Sequence, residues 1–385
     1  MRLRVLLIAG AVAALVVPAA QGGQAADPTA WLYNPLQVNA IDLTASPAAL
    51  DSLRAKPTDY VNAQITLHDG ATAFGPYNVG LKLKGQTSFR GLDGKAAFRV
   101  KFDYSVHGQE FQGLKDLTLN NMVEDPSMIA EAASSIVLRA IDVPAQRVGY
   151  AWVRLNGAVY GLYSNVETID KVWAKRWFPT TQHIYEANYA VDVTPGGVDD
   201  YDVKVGSSKD RSDLEALVEA VSGPQAGWYA RLKPVADLAE MARAFAAEHY
   251  IGQIDGYSYG STQSQPNNYD LHSDDAGRFT MIVNGTDETW IDSSNFGVTG
   301  NGLLFRECVA DPLCQPLYIA ALRQIAANRQ VAGLAATARK IQAVIAPWRK
   351  RDPRKEQSVA AGEALAASKI ARMAIRPTEL ANWLR

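Results

Sequence analysis

The chain has 385 residues, and its 38 lysines and arginines nearly balance 40 aspartates and glutamates. A formal charge of −2 argues against a dedicated nucleic-acid binder, which would carry a basic excess, while leaving room for a local cationic pocket. With 48% hydrophobic and 20% charged residues the chain is neither wholly disordered nor collagen-like, and it is long enough to bury a sizeable core.

Residues 1–26 read as a secretory signal peptide. Arg2 and Arg4 precede the apolar run Leu6 to Val17, and small residues allow cleavage after Ala25 or after Ala19. The alternative is an uncleaved anchor, but the run is shorter than the ~20 residues of a comfortable span. No later segment approaches that length. The expectation is a secreted protein, extracellular or periplasmic, without stable membrane insertion. Cys308 and Cys314 are a close pair in such a protein, so a disulfide is expected, with two buried thiols as the alternative. The histidines are scattered and form no zinc signature.

Alternation predicts strands at Val38–Leu43, Tyr60–Leu67, Val79–Leu83 and Phe98–Phe102. His68-Asp69-Gly70 supplies a turn, and the glycine-rich, basic stretch Lys84–Lys95 links the last two strands as a hairpin loop. Asp125-Pro126-Ser127 predicts a helix start, with Asp125 capping and Pro126 in the first turn, running through Glu131 to Leu138. Arg147–Leu155 and Val159–Val166 are strands about the Asn156-Gly157 turn. A polar, glycine-rich stretch at 192–208 then separates a mainly helical half. That half has an amphipathic helix at 235–254 and a strand pair, Asn268–His272 and Arg278–Val283. Helices follow over 316–384, with Arg376-Pro377 before a last short one. The expected organisation is a signal at 1–26, a sheet-rich lobe at 27–190 and a helix-rich lobe at 191–385, the two lobes forming one domain. A cleft between such lobes is a common ligand site.

Three clusters could carry chemistry. Lys84, Arg90, Lys95, Arg99 and Lys101 surround Gly85, Gly91 and Gly94, a composition suited to phosphate, though spacing alone favours a solvated surface hairpin. Glu131 could hold one of those lysines in an ion pair, or be an exposed helix residue. Asp255, Asn267, Asn268 and Asp287 offer hard oxygens that suit Mg²⁺ and a spare Asp to orient a hydroxyl, or are simply turn formers.

The run Val79-Gly-Leu-Lys-Leu-Lys-Gly-Gln-Thr-Ser-Phe-Arg90 with Lys95-Ala-Ala-Phe-Arg-Val-Lys-Phe102 resembles the basic hairpin of the CotH (spore coat protein H) kinase family. Gly113-Leu-Lys-Asp-Leu-Thr-Leu-Asn-Asn121, the Asn156-Gly157 hairpin, Val166-Glu-Thr-Ile-Asp170, Asp255-Gly256 and Asn267-Asn268-Tyr269 are similar to further family features, in order over roughly residues 33–380. The resemblance implies an α+β, two-lobed, atypical protein-kinase-like fold. It also implies ATP with Mg²⁺ or Mn²⁺, and phosphoryl transfer to Ser or Thr of a protein substrate. By position, Lys84, Lys95 and Arg99 or Lys101, with Arg90 in the same loop, would face phosphates. Glu131 would be the ion-pairing helix Glu, Asp255 the catalytic Asp, and Asn267 or Asn268 with Asp287 the metal ligands. The family usually shows Trp-Asp-x-Asp where this chain has Asn284-Gly285-Thr286-Asp287, so the first carboxylate is missing; Asp292 could substitute only if its loop folds back. A non-catalytic surface or attachment protein of the same fold is the main alternative. A metal-dependent hydrolase, with His249 as the nearest histidine to Asp255, is the third.

Overall fold

The computed structural model describes residues 27–259, 265–291, 296–297 and 299–385; the signal-like segment 1–26 and Asp292 lie outside the described residues. The chain is α+β. Strands β1 (Val38–Ala45), β2 (Val61–Asp69), β3 (Thr72–Lys84), β4 (Ala97–Lys101), β5 (Asp116–Asn120), β6 (Val148–Leu155) and β7 (Ala158–Val166) close a barrel in the order β1-β2-β3-β4-β5-β7-β6. Only the β1–β6 pair is parallel, joining Val38 to Tyr150 and Leu43 to Leu155. The barrel fills because strand parity turns every second side chain inward. Ile41, Ile65, Leu81, Phe98, Leu117 and Val153 are among the buried interior residues. Asn156 and Gly157 both take left-handed φ, 50° and 79°, as a two-residue hairpin turn requires.

A second sheet, order β11-β10-β8-β9, is built from β8 (His183–Ala187), β9 (Tyr201–Val205), β10 (Tyr269–Ser273) and β11 (Phe279–Val283). The stretch 192–208 is therefore not a plain separator, since β9 lies within it and pairs with β8. Because β8 also pairs with β10, this sheet crosses the expected lobe boundary at residue 190. The remaining elements are α1 (Pro47–Ala55), α2 (Ala130–Ala140), α3 (Lys171–Trp177), α4 (Ser212–Ser222), α5 (Trp228–Leu232), α6 (Leu238–Ile251), α7 (Leu303–Ala310), α8 (Gln315–Ala327), α9 (Arg329–Ala332), α10 (Leu334–Arg351) and α11 (Val359–Trp383). The larger apolar core joins α2, α6, α8 and α10 to the outer side of the barrel and the second sheet. Helix α6 is buried along almost its whole length, so it is central rather than amphipathic at a surface.

Two expected boundaries move. Helix α2 starts at Ala130, not at Pro126, because Met128 takes a left-handed φ of 61° and interrupts the turn; Tyr150 donates to the Met128 carbonyl at 2.6 Å. Asp125 still caps the helix, but from five residues upstream, accepting Ala130 N–H at 2.9 Å. Helix α11 runs through Pro377 without a break, its inner face held by buried Met373, Arg376 and Leu380. Cys308 and Cys314 form the expected disulfide, joining α7 to the start of α8.

Candidate functional site

Between the barrel and the second sheet lies a cavity of about 1030 Å³. Its barrel-side wall carries Lys82 and Lys84 of β3, the Gly85–Ser88 stretch, Asn120 at the end of β5, Glu131 of α2 and Ser164 of β7. The facing wall carries Asp255, Asn267 and Asn268 before β10, and Asn284, Gly285 and Asp287 after β11. Lys84, Glu131, Asp255, Asn267, Asn268 and Asp287, far apart in the chain, thus line one cavity.

Strand parity explains the cations. Leu81 and Leu83 point into the barrel, so Lys82 and Lys84 point out of it and toward the cavity. Lys84 Nζ donates to Asn120 Oδ1 at 2.5 Å, and Asn120 Nδ2 donates to Glu131 Oε1 at 3.2 Å. Glu131 therefore reaches Lys84 through Asn120, not by the direct ion pair the sequence suggested. Ser164 Oγ donates to the other Glu131 oxygen at 2.8 Å. Burial, reinforced by the charge of Asp287, pushes the Glu131 carboxyl up to about 7. Burial pushes the Lys84 ammonium down, against the pull of Glu131 and Asp287.

The other four predicted cations do not line this cavity. Lys95 is buried in an ion pair with Asp352 at 2.7 Å, outside this cavity. The main chain at Leu162 donates to the same carboxylate at 3.1 Å. A Cβ on Gly161 would come within 2.6 Å of Asp352 Oδ1, so the glycine admits that side chain. Arg90 forms a forked pair with Glu356 at 2.5 and 2.9 Å. Arg99 pairs with Asp116 at 3.1 Å and Lys101 with Asp103 at 3.8 Å, both on β4, one strand beyond β3. Each is paired with a carboxylate.

On the facing wall, Asn267 Nδ2 and Asn268 Nδ2 donate to Asp255 Oδ2 at 3.0 and 2.7 Å, and Asn268 Nδ2 also donates to the Asp255 carbonyl at 2.9 Å. This fixes one oxygen of Asp255 and leaves its Oδ1 without a partner among the described residues. It also turns the carboxamide oxygen of Asn268 away from Asp255. That oxygen lies 2.4 Å from where a Cβ on Gly285 would be, and Gly285 has a φ of 54°. Asn268 thus occupies the space that any side chain at position 285 would enter. Burial, with the charges of Glu124 and Asp125, pushes the Asp287 carboxyl up to about 6.

These donors suit a hard divalent ion: a half-buried carboxylate, Asp287, and a carboxamide oxygen, Asn268 Oδ1, without a partner among the described residues. Among the described residues no group of three or more His, Cys, Asp or Glu forms a full metal cage, so phosphate and water would supply the remaining ligands. Sequence reasoning missed Lys82, although its position two residues before Lys84 on a strand was the available signal. It also missed Asn120, whose bridging contact had no sequence signal beyond its place in the run ending at Asn121.

The family model described as CotH kinase protein matches residues 81–385. The chain is also similar to the inner spore coat protein H of Bacillus subtilis (strain 168), 24% identical over 209 residues, covering 51% of this chain and 55% of the relative. The match therefore spans about half the length of that relative.

Proposed function

Since the chain belongs to the CotH kinase protein family, we propose that it transfers the γ-phosphoryl group of ATP to serine or threonine hydroxyls of an envelope or surface protein. The observation that carries this reading is the convergence of Lys84 and Glu131 with Asp255, Asn268 and Asp287 around one cavity. The sheet-rich and helix-rich halves would act as the two lobes of one kinase-like domain, secreted by the segment at 1–26. No helix among the described residues is long and apolar enough to cross a membrane.

In this mechanism Lys84, steered by Asn120 and Glu131, offsets charge on the phosphates, and Lys82 extends the cationic edge. Bound Mg²⁺ or Mn²⁺, held by Asp287 and Asn268, would supply further charge compensation at the phosphate oxygens. Asp255, held by the two carboxamides, presents its free oxygen to the acceptor hydroxyl and takes its proton. The hydroxyl oxygen forms a bond to the γ-phosphorus as the bond to the bridging oxygen breaks, and ADP leaves. Gly285 in place of a carboxylate favours a second reading, a nucleotide-binding protein of this fold without transferase activity.

The test is incubation of the mature protein with radiolabelled ATP and Mg²⁺ or Mn²⁺, beside Asp255→Ala and Asp287→Ala. Incorporation by the wild type that both substitutions abolish supports the reading. Incorporation that survives both removes the assigned roles, and a nucleotide-induced thermal shift without incorporation supports the second reading.

A further inference from the structure

Phosphoryl transfer gives no task to a buried ion pair that sits against the site. Lys369, in the middle of α11, is 2% exposed. Its Nζ lies 3.1 Å from Asp125 Oδ1 and donates to the Asp287 carbonyl at 3.2 Å. Asp125, equally buried, accepts from Ser127 N–H at 3.2 Å and from the Ser127 hydroxyl through the same oxygen. Its other oxygen accepts Ala130 N–H at the start of α2, one residue before Glu131. One ammonium therefore joins the carboxylate that fixes the Glu131 helix to the backbone of Asp287.

The surrounding contacts show what the ammonium adds. Helix α2 and the Asp287 loop also meet through Ser134, whose Oγ pairs with Thr289 Oγ1 at 2.9 Å and accepts Trp290 Nε1 at 3.0 Å. That contact lies three residues downstream of Glu131 and two to three downstream of Asp287, so it anchors the loop beyond the site. Lys369 anchors it at Asp287 itself. Arg376, seven residues further along α11 and so on the same face, donates to the carbonyls of His249 and, at 2.8 Å, Tyr250. These lie at the end of α6, which leads to Asp255. The inner face of α11 thus holds the segments that carry Glu131, Asp287 and Asp255.

We propose that Lys369 is a positioning residue for this site, a clamp between the Asp125 carboxylate and the Asp287 carbonyl that sets Asp287 opposite Glu131. The proposal rests on the phosphoryl-transfer reading above for its functional meaning. The ammonium touches no reacting atom; it acts through the Asp287 backbone, and so on the orientation of that carboxylate.

Lys369→Met alone would leave the Asp125 carboxylate buried without its counter-charge. The informative protein is therefore the full chain with Lys369→Met and Asp125→Asn together, which removes both charges and keeps an oxygen for Ala130 N–H. Its affinity for Mn²⁺ with a non-hydrolysable ATP analogue is measured by calorimetry. The Mn²⁺ electron paramagnetic resonance line shape is recorded, and amide exchange over 286–290 is followed in the nucleotide-free protein. Expected are a melting temperature near that of the wild type, Mn²⁺ affinity lower by about 10-fold or more, in the range for lost outer-sphere support, a changed line shape, and faster exchange over 286–290 with unchanged exchange in the barrel. Wild-type affinity, line shape and exchange in the double variant would overturn the proposal. If the wild type binds no Mn²⁺–nucleotide while the variant still loosens 286–290, the phosphotransferase reading falls and the clamp stands.

Discussion

Gly285→Ala tests how the facing wall tolerates a side chain where the family usually has a carboxylate. Gly285 has a φ of 54°, a conformation that costs a non-glycine residue roughly 1–2 kcal/mol. The new Cβ would lie 2.4 Å from Asn268 Oδ1 and 2.5 Å from its Cγ, while Gln253 Nε2 holds the Gly285 carbonyl at 2.9 Å. Asn268 has to move, and its bonds to the Asp255 carboxylate and carbonyl go with it. The bond to the carboxylate is worth about 1.5–3 kcal/mol and the bond to the carbonyl about 0.5–1.5 kcal/mol, partly recovered from water because Asn268 is half-buried. A loss of about 2–4 kcal/mol in urea unfolding is expected, together with a fall in phosphoryl transfer as Asp255 loses its orientation. Gly285→Asp meets the same Asn268 oxygen with a second acceptor, so restoring the family carboxylate is expected to lower transfer rather than raise it. Wild-type unfolding by Gly285→Ala, or a gain of transfer by Gly285→Asp, would refute this reasoning.

Lys95→Met strands the buried Asp352 carboxylate, and breaking such a pair costs about 3–5 kcal/mol; the loss should appear in denaturant unfolding, with nucleotide affinity retained in the folded fraction. Lost affinity at unchanged stability would instead return Lys95 to the phosphates. Lys84→Met, by contrast, is expected to weaken nucleotide binding at least 10-fold, read by calorimetry, because its ammonium faces the cavity; unaltered binding would remove its role. Glu240 on α6 is buried, accepts Met281 N–H at 2.8 Å and has its other oxygen without a partner among the described residues; burial pushes its carboxyl up to about 8. A folded value above the ordinary 4.5 means the native state holds a proton that the unfolded chain releases, so stability falls as pH rises from about 4.5 to 8 and then levels. Glu240→Gln removes that fall, gaining about 3 kcal/mol over the wild type at pH 7 and almost nothing at pH 4.5; parallel stability curves for the two proteins would contradict the assignment.

Local rules made the barrel legible where they were strong. The turns at His68-Asp69-Gly70 and Asn156-Gly157, with the alternation of β2 and β4, marked hairpins that the fold contains. The short strands β8 and β9 escaped because burial on both faces hides period-two alternation in β8, and the glycines before β9 resemble a linker. Within the site, the residue types on the facing wall were readable as turn-like Asp and Asn positions. The basic hairpin was not resolvable in the same way. Parity could have separated Lys82 and Lys84 from the barrel interior, but the fate of Lys95 depends on Asp352, 257 residues away. Asp125 was read as a cap with Pro126 in the first turn; its actual role depends on the left-handed Met128 and on Lys369, neither of which leaves a local pattern.

The most direct test of the central claim is a crystal structure of the wild-type protein with Mn²⁺ and a non-hydrolysable ATP analogue, read through the anomalous signal of the metal. An anomalous peak beside Asp287 and Asn268, with the analogue's phosphates between it and Lys84, is the predicted result. A metal and nucleotide bound elsewhere, or phosphates resting on Lys95 or Arg99 instead, would contradict it.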